Sequence, residues 1–245
     1  MNTLKTLIVA LVLAIIAPAN AQDVDEILTN YFENTGGIEK WKNLEGVKMV
    51  GVMKMQGMEI PFEQVMLKDG KQATKIDLQG QKMTWSAYDG ETSWTRNQMT
   101  MEPEKNDSEA NQNMKNLAKE WPSPFLNYKD KGFTVELVGK ETVDGTEAFK
   151  IKVVKDPVVK DGQEIPNISH YYFDTENFVP IVIEEEVQDG PMKGQTVKMI
   201  VSDYQEVDGL YFPFSQSNQF QSMEFKEFVL NPEIEESLFV FPEGK

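Results

Sequence analysis

Apolar and polar residues alternate one for one through most of this chain, and a period of two is the mark of half-buried β-strands. Val47, Met49, Gly51, Met53 and Met55 fall on one face of a first strand, with Lys48, Val50, Val52 and Lys54 on the other. A return strand covers Ile60 to Leu67, and further strands are predicted near Ala73 to Leu78, Lys82 to Tyr88 and Thr92 to Met101. The pattern resumes at Phe133 to Val138, Ala148 to Val154, Ile168 to Phe173, Val179 to Glu185, Thr196 to Tyr204, Tyr211 to Phe214 and Ser217 to Leu230. In the last of these, Phe220 and Phe228 are expected on one face, Met223 and Phe225 on the other. Six Asp-Gly dipeptides punctuate the runs, at Asp69-Gly70, Asp89-Gly90, Asp144-Gly145, Asp161-Gly162, Asp189-Gly190 and Asp208-Gly209. Asp-Gly accepts the positive φ of a two-residue hairpin, so the runs read as an antiparallel meander. No strand-helix-strand alternation occurs, which argues against a parallel sheet.

The period changes to that of a helix in two places. Asp23 stands as N-cap to a helix whose apolar face is Val24, Ile27, Leu28, Tyr31 and Phe32, with Glu26 in the capping-box position. Gly36-Gly37 stops it, and a second short piece is predicted over Ile38 to Leu44. Mid-chain, Glu102 to Asn113 is polar and reads as a loop. Out of it comes a helix carrying Ala110, Met114, Leu117, Ala118 and Trp121 on one side, ended by Pro122. Trp121-Pro122-Ser123-Pro124-Phe125-Leu126 then forms a stiff apolar loop.

The first residues predict a secretory signal: Lys5 is a positive start, Leu7 to Ala17 is unbroken and apolar, and Ala19-Asn20-Ala21 is a small-x-small cleavage pattern. Residues 1–21 are therefore expected to be removed after Ala21, leaving 22–245 as a single β domain in the periplasm. The chain has no Cys, so neither disulfides nor an N-terminal lipid is expected, and a core of this size needs no disulfide. A formal net charge of −16 argues against nucleic acid and anionic lipid as partners.

Catalytic groups are scarce. His170 is the one histidine and reads as structural, no Gly-x-Ser-x-Gly elbow occurs, and zinc lacks ligands. Glu184-Glu185-Glu186 and Asp189 sit on alternating faces of a strand end, and Asp156 and Asp161 lack calcium-loop spacing. No cofactor and no metal are expected, and the chain is not read as an enzyme. Its apolar inventory is more distinctive: thirteen Met and four Trp, with Met49, Met53, Met55 and Met58 crowding the first strand and its turn. Unbranched, polarizable Met side chains adapt to varied apolar ligands. Trp121, Phe125 and Leu126, beside the mid-chain helix, would make a lid over a sheet face.

These segments together resemble the LolA/LolB type of periplasmic lipoprotein carrier, in particular the outer-membrane lipoprotein-sorting proteins. The likeness rests on Tyr31-Phe32-Glu33-Asn34-Thr35-Gly36-Gly37, the strand from Val47, and the mid-chain helix with Trp121-Pro122-Ser123-Pro124-Phe125. It continues in Asp203-Tyr204-Gln205-Glu206-Val207-Asp208-Gly209-Leu210-Tyr211-Phe212-Pro213, Asn231-Pro232-Glu233-Ile234 and Phe239-Val240-Phe241-Pro242. It implies a mainly β fold: an open antiparallel half-barrel of about eleven strands with helices covering its concave face. It also implies a monomeric carrier that shields lipoprotein acyl chains or phospholipid and works with an inner-membrane release complex and an outer-membrane acceptor. On that reading Met53, Met55, Phe62, Met66, Trp85 and Trp94 line the cavity, and Met114, Leu117, Trp121 and Phe125 form the lid. Better-known carriers of this type use an Arg to govern lid closure, whereas Arg96 is the only Arg in this chain. Two rival readings stay open: an envelope sensor or scaffold using the same sheet, and a carboxylate enzyme acting on envelope lipid or glycan.

Overall fold

The computed structural model describes residues 23–187 and 193–242. The predicted export signal and the Asp189-Gly190 turn lie outside the described residues. Among the described residues, thirteen strands form one sheet. In chain order they are β1 (Gly46–Met55), β2 (Met58–Leu67), β3 (Gln72–Leu78), β4 (Gln81–Tyr88), β5 (Ser93–Arg96), β6 (Pro103–Lys105) and β7 (Thr134–Val143). Then follow β8 (Thr146–Lys160), β9 (Gln163–Asp174), β10 (Pro180–Glu186), β11 (Thr196–Val207), β12 (Leu210–Ser217) and β13 (Gln221–Leu230). The sheet order β6-β5-β4-β3-β2-β1-β13-β12-β11-β10-β9-β8-β7 is a meander broken once, where β1 pairs antiparallel with β13. The edges β6 and β7 do not pair with each other, so the sheet is an open half-barrel.

The sheet exceeds the expected eleven strands partly because β6 lies inside Glu102 to Asn113, which the sequence marks as loop. Pro103-Glu104-Lys105 has no apolar alternation and is a strand only through its pairing with Trp94, Thr95 and Arg96. Arg96 helps hold that edge by donating from Nε to the Thr84 carbonyl (2.9 Å) and from Nη1 to the Met101 carbonyl (2.6 Å). It is thus a sheet-edge clamp.

Turn chemistry follows the dipeptides in part. Asp144, Asp161 and Asp208 adopt φ of 48°, 51° and 49°, each followed by a left-handed Gly, as a two-residue hairpin requires. Asp69 and Asp89 instead lie in four-residue connections, where their carboxylates accept backbone N–H groups from Lys71 (3.2 Å) and from Glu91 and Thr92 (2.9 and 2.7 Å).

The register puts Val47, Met49, Gly51, Met53 and Met55 on one face, opposite Met66, Gln64, Phe62, Ile60 and Met58 of β2. A bulge in β13, with Val50 facing Glu227 and Gly51 facing Phe225, inserts Lys226 as an unpaired residue. That extra residue reverses the alternation, so Phe225 and Phe228 share the concave face, 5.2 Å apart, instead of dividing between faces as their spacing suggests.

Three helices cover part of that face: α1 (Val24–Asn34), α2 (Ile38–Lys42) and α3 (Ser108–Ala118). The Asp23 carboxylate caps α1 by accepting from the Glu26 N–H at 2.7 Å. The apolar face of α1 (Ile27, Leu28, Tyr31, Phe32) meets Trp41 of α2 and the inward residues of β8, β9, β12 and β13 in the main core. On the outer face the C-terminal segment lays Phe239 and Phe241 over Val65, Ala73, Ala87 and Trp94.

The α1–α2 corner is pinned to the β11–β12 turn. Tyr211 N–H donates to the Thr35 carbonyl (3.1 Å), Lys40 Nζ to the Gly209 carbonyl (3.1 Å), and Trp41 Nε1 to Thr35 Oγ1 (3.1 Å). A Cβ at Gly36, whose φ is +115°, would run into the Gly209 carbonyl; Gly37, at φ +95°, has open space beside it. Gly36→Ala is expected to cost about 2–4 kcal/mol, a backbone clash added to a strained φ, and Gly37→Ala only about 1 kcal/mol. Urea midpoints of the two variants compare them directly. Equal losses would mean that the corner tolerates the added methyl.

Candidate ligand cavity

A cavity of about 280 Å³ opens on the concave face near the middle of the sheet. Its floor is built from adjacent strands: Val47 and Met49 of β1, Met66 of β2, and Phe212, Phe225 and Phe228 of β12 and β13. Its roof is the end of α3 and the loop that follows, through Leu117, Ala118, Trp121, Pro122 and Pro124. Lys71, Gln72, Glu120 and Gln216 supply the polar parts of an otherwise apolar lining.

The roof is held asymmetrically. Asp107 caps α3 by accepting from the Ala110 N–H at 2.8 Å. Polar residues along one side of the helix then grip the end of β8 and its turn. Glu109 accepts from the Asp161 and Gly162 N–H groups (2.9 and 2.7 Å), and Asn113 both donates to the Val159 carbonyl and accepts from its N–H (2.8 and 2.7 Å). Asn116 donates to the Pro157 carbonyl (2.9 Å), and Lys119 meets Asp156 at 2.6 Å. Toward the other edge of the sheet, Asn111 Oδ1 accepts from Ser93 N–H and Oγ (2.7 and 2.8 Å), and Ala118 lies over Gly70. The helix therefore bridges β5 and β8, strands near opposite edges of the open sheet.

Beyond the helix, Trp121 donates from Nε1 to the Leu44 carbonyl at 3.3 Å. Lys131 Nζ donates to the carbonyls of Trp121 (2.8 Å) and Ser123 (2.7 Å) and so holds the loop from behind. Burial pushes the Lys131 ammonium down to about 8, with Glu120 acting in the opposite direction. Burial likewise raises the Glu120 carboxyl, against the pull of Lys155. Lys155, nearly enclosed, lies 3.2 Å from Glu120 and 3.7 Å from Glu185, and Ser169 Oγ donates to Glu185 at 2.7 Å. Tyr31 is pushed up to about 12 and Tyr171 further, both by burial, so the phenols under the roof stay protonated. Among the described residues no group of three or more His, Cys, Asp or Glu could hold a metal ion. His170 faces Lys152 and Glu184 across neighbouring strands, on the outer side of the sheet.

Of the residues singled out from sequence, Met66, Leu117 and Trp121 line this cavity. Met53 and Met55 lie on the same face of β1 as Met49, displaced toward the β1–β2 turn. Phe62 covers Gly51 and meets Phe225 edge-on at 5.8 Å. Met114 faces a smaller space beside Ser93, Thr95 and Asn106. Trp85 occupies the β4 bulge between Thr84 and Ser86. Phe125 is not in the roof: it is core, packed edge-on against Tyr171 and Phe173 at 4.8 and 5.2 Å. Trp94 points to the opposite face, where its Nε1 donates to the Phe239 carbonyl at 3.3 Å. Neighbouring strand residues alternate between faces, and β5 is set by its pairing with β4, so Trp94 shares a side with Ala87. Val47, Met49, Phe212, Phe225 and Phe228 line the cavity without belonging to the expected lining set, although Met49 is among the Met residues that crowd the first strand. Val47 and Met49 share the alternation of Met53; Phe228 joins the side of Phe225 only through the β13 bulge, and Phe212 comes in from β12.

No protein-family model matches the chain, and no curated protein sequence matches it. Solved structures do resemble it. A LolA superfamily protein from Nitrosomonas europaea superposes with a TM-score of 0.53 at 11% identity, over 90% of this chain and 98% of that one. A DUF1329 family protein from Desulfovibrio piger gives 0.52 at 14% identity, over 87% and 97%. A putative outer membrane lipoprotein-sorting protein domain from Vibrio parahaemolyticus gives 0.51 at 13% identity, over 87% and 94%. The chain thus shares the fold of these structures, the fold that the resemblance in the sequence implies.

Lys131 gives the roof a pH dependence with a definite sign. Its ammonium titrates near 8 in the folded chain and at the ordinary 10.5 when unfolded, so between those values the unfolded state binds more protons and stability rises with pH. Urea midpoints of wild type and Lys131→Met, followed from pH 7 upward, should show wild type gaining on the variant through that window. A constant difference would place the Lys131 ammonium in contact with water.

Proposed function

We propose that this protein is a non-catalytic carrier of the periplasm that shelters acyl chains of lipoproteins, or of another envelope lipid, in transit toward the outer membrane. The observation that carries the reading is the apolar cavity between the sheet and the α3–Trp121 roof. Each CH₂ moved from water into such a space gains roughly 0.8 kcal/mol. At about 280 Å³ the space lies just below the usual range for small-molecule sites, roughly 300–1,000 Å³. A multi-chain lipid therefore requires the roof to shift outward. The roof's polar anchors stand on the β8 side, so displacement would break the Asn111–Ser93 bonds and the Ala118–Gly70 contact while Asn113, Asn116 and Lys119 hold. The names of two solved structures of this fold, a LolA superfamily protein and a putative lipoprotein-sorting domain, agree with the reading.

The test is mass spectrometry of the protein purified from its native envelope, under non-denaturing conditions and after organic extraction. Acylated peptide or phospholipid is expected at near-stoichiometric amounts. Trp121→Asp, which sets a carboxylate into the roof, should lower the retained lipid about tenfold, equivalent to ~1.4 kcal/mol. Retention equal to wild type would remove Trp121 from the site, and an empty wild-type protein would remove the carrier function.

A further inference from the structure

The turns at the two ends of the sheet differ in kind. At one end every described hairpin connection carries a carboxylate: Asp69-Gly70, Asp89-Gly90-Glu91, Asp144-Gly145, Asp174-Thr175-Glu176 and Asp208-Gly209. At the other end, four connections that are adjacent in the sheet have tips without a charged side chain. They are Gln56-Gly57 (β1–β2), Gln79-Gly80 (β3–β4), Asn97-Gln98-Met99-Thr100-Met101 (β5–β6, followed by the exposed Glu102 before β6) and Asn218-Gln219-Phe220 (β12–β13). Together they span eight neighbouring strands, β6 through β12 in sheet order. The β8–β9 turn at this end, outside that stretch, carries Asp161.

Three large apolar side chains are exposed at or beside these tips: Met58 (52% exposed), Met99 (91%) and Phe220 (47%). Met58, Leu78, Met83 and Met101 also line one groove, with Glu59 and Asp77 at its sides, which places the first three turns side by side. Several of the charges flanking the tips are engaged with the protein itself, while Glu102 is exposed. Lys54 and Glu59 face each other at 3.9 Å, Lys54 also pairs with Glu224 at 2.9 Å, and Asp77 accepts from the Gly80 N–H at 2.7 Å. On the concave face, Met58 is followed by Met55, Met53 and Met49, so an apolar strip runs from this rim to the cavity floor.

We infer that this rim is a docking surface for the interfacial layer of a lipid bilayer. Separate side chains projecting from a row of turn tips suit a soft planar surface, which can accept each of them independently. A chain of net charge −16 is repelled by anionic lipid, and the rim is where it can approach a membrane with the fewest carboxylates to desolvate. Its acidic turns then point away from the membrane. The strip of Met side chains would give an acyl chain a covered route between bilayer and cavity.

Flotation with phosphatidylcholine vesicles tests this, using the chain from Gln22 onward, which contains every described residue. Wild type should float with the vesicles and continue to do so in 1 M salt, because apolar insertion is not screened. Met58→Asp, Met99→Asp and Phe220→Asp should each lower the partition coefficient several-fold, and the triple variant at least tenfold. These positions are exposed, so folding, checked by circular dichroism, stays intact. Val138→Asp, a comparably exposed apolar position in the bulge of edge strand β7, outside the eight rim strands, serves as control and should float like wild type. So should Trp121→Asp, which alters the cavity and leaves the rim untouched, keeping this result separate from that of the carrier reading. Wild type remaining at the bottom of the gradient overturns the inference, as does a loss with Val138→Asp equal to that with Met58→Asp. Flotation only on anionic vesicles, abolished by salt, overturns it as well.

Discussion

An antiparallel sheet that curves without closing has a concave face that must be kept from water, and the rest of this structure is arranged around that need. In a closed barrel the inward side chains meet across the axis and fill it. Here β6 and β7 remain apart, and the covering elements are helices of 11, 5 and 11 residues together with an apolar loop. Helix α1 and Trp41 seal one part, burying Tyr31 and Phe32 with Tyr171 and Phe173 of β9 and Phe212 of β12. Helix α3 cannot do the same. None of its residues is fully buried, so it spans the gap as a strap, and the space beneath it is the cavity.

How the strap is fastened decides what it can do. Its polar side chains meet backbone groups of β8 and the β8–β9 turn in a ladder of directed bonds, which fix position and orientation. Its opposite side touches the sheet through one asparagine and small apolar contacts. The loop beyond is held by Lys131 through two carbonyls, and the Glu120–Lys155–Glu185 group keeps buried charges paired. One side is specified by hydrogen bonds and the other by adaptable apolar contact, which suits a roof over contents of variable size.

Charge is sorted on the same axis. Four acidic Asp-Gly turns (at Asp69, Asp89, Asp144 and Asp208) lie at one end of the sheet because the meander brings every second connection there, while Asp161-Gly162 lies at the other. The four adjacent turn tips at the other end are built from Gln, Asn, Thr, Gly, Met and Phe. Neither property is visible in net composition, and both follow from strand parity.

Much of the fold was legible in the sequence, because a meander is made of local features. Alternation marked the strands, Asp23 and Gly36-Gly37 bounded α1, and the left-handed conformations at Asp144, Asp161 and Asp208 follow from short-range sterics. The faces were legible only while parity held. One inserted residue, Lys226, moved Phe228 to the side of Phe225, and pairing with β4 turned Trp94 toward the C-terminal segment. Phe125 reads as lid from its neighbours Trp121 and Pro124, yet its ring fits against Tyr171 and Phe173, on a strand far away in sequence. The sequence by itself determined which segments are strands, which are helices and where the chain turns, since those depend on backbone preferences over a few residues. Only the tertiary structure decided which side chains meet at the cavity, because that depends on bulges, register and the closing of α3 across strands that the sequence keeps far apart.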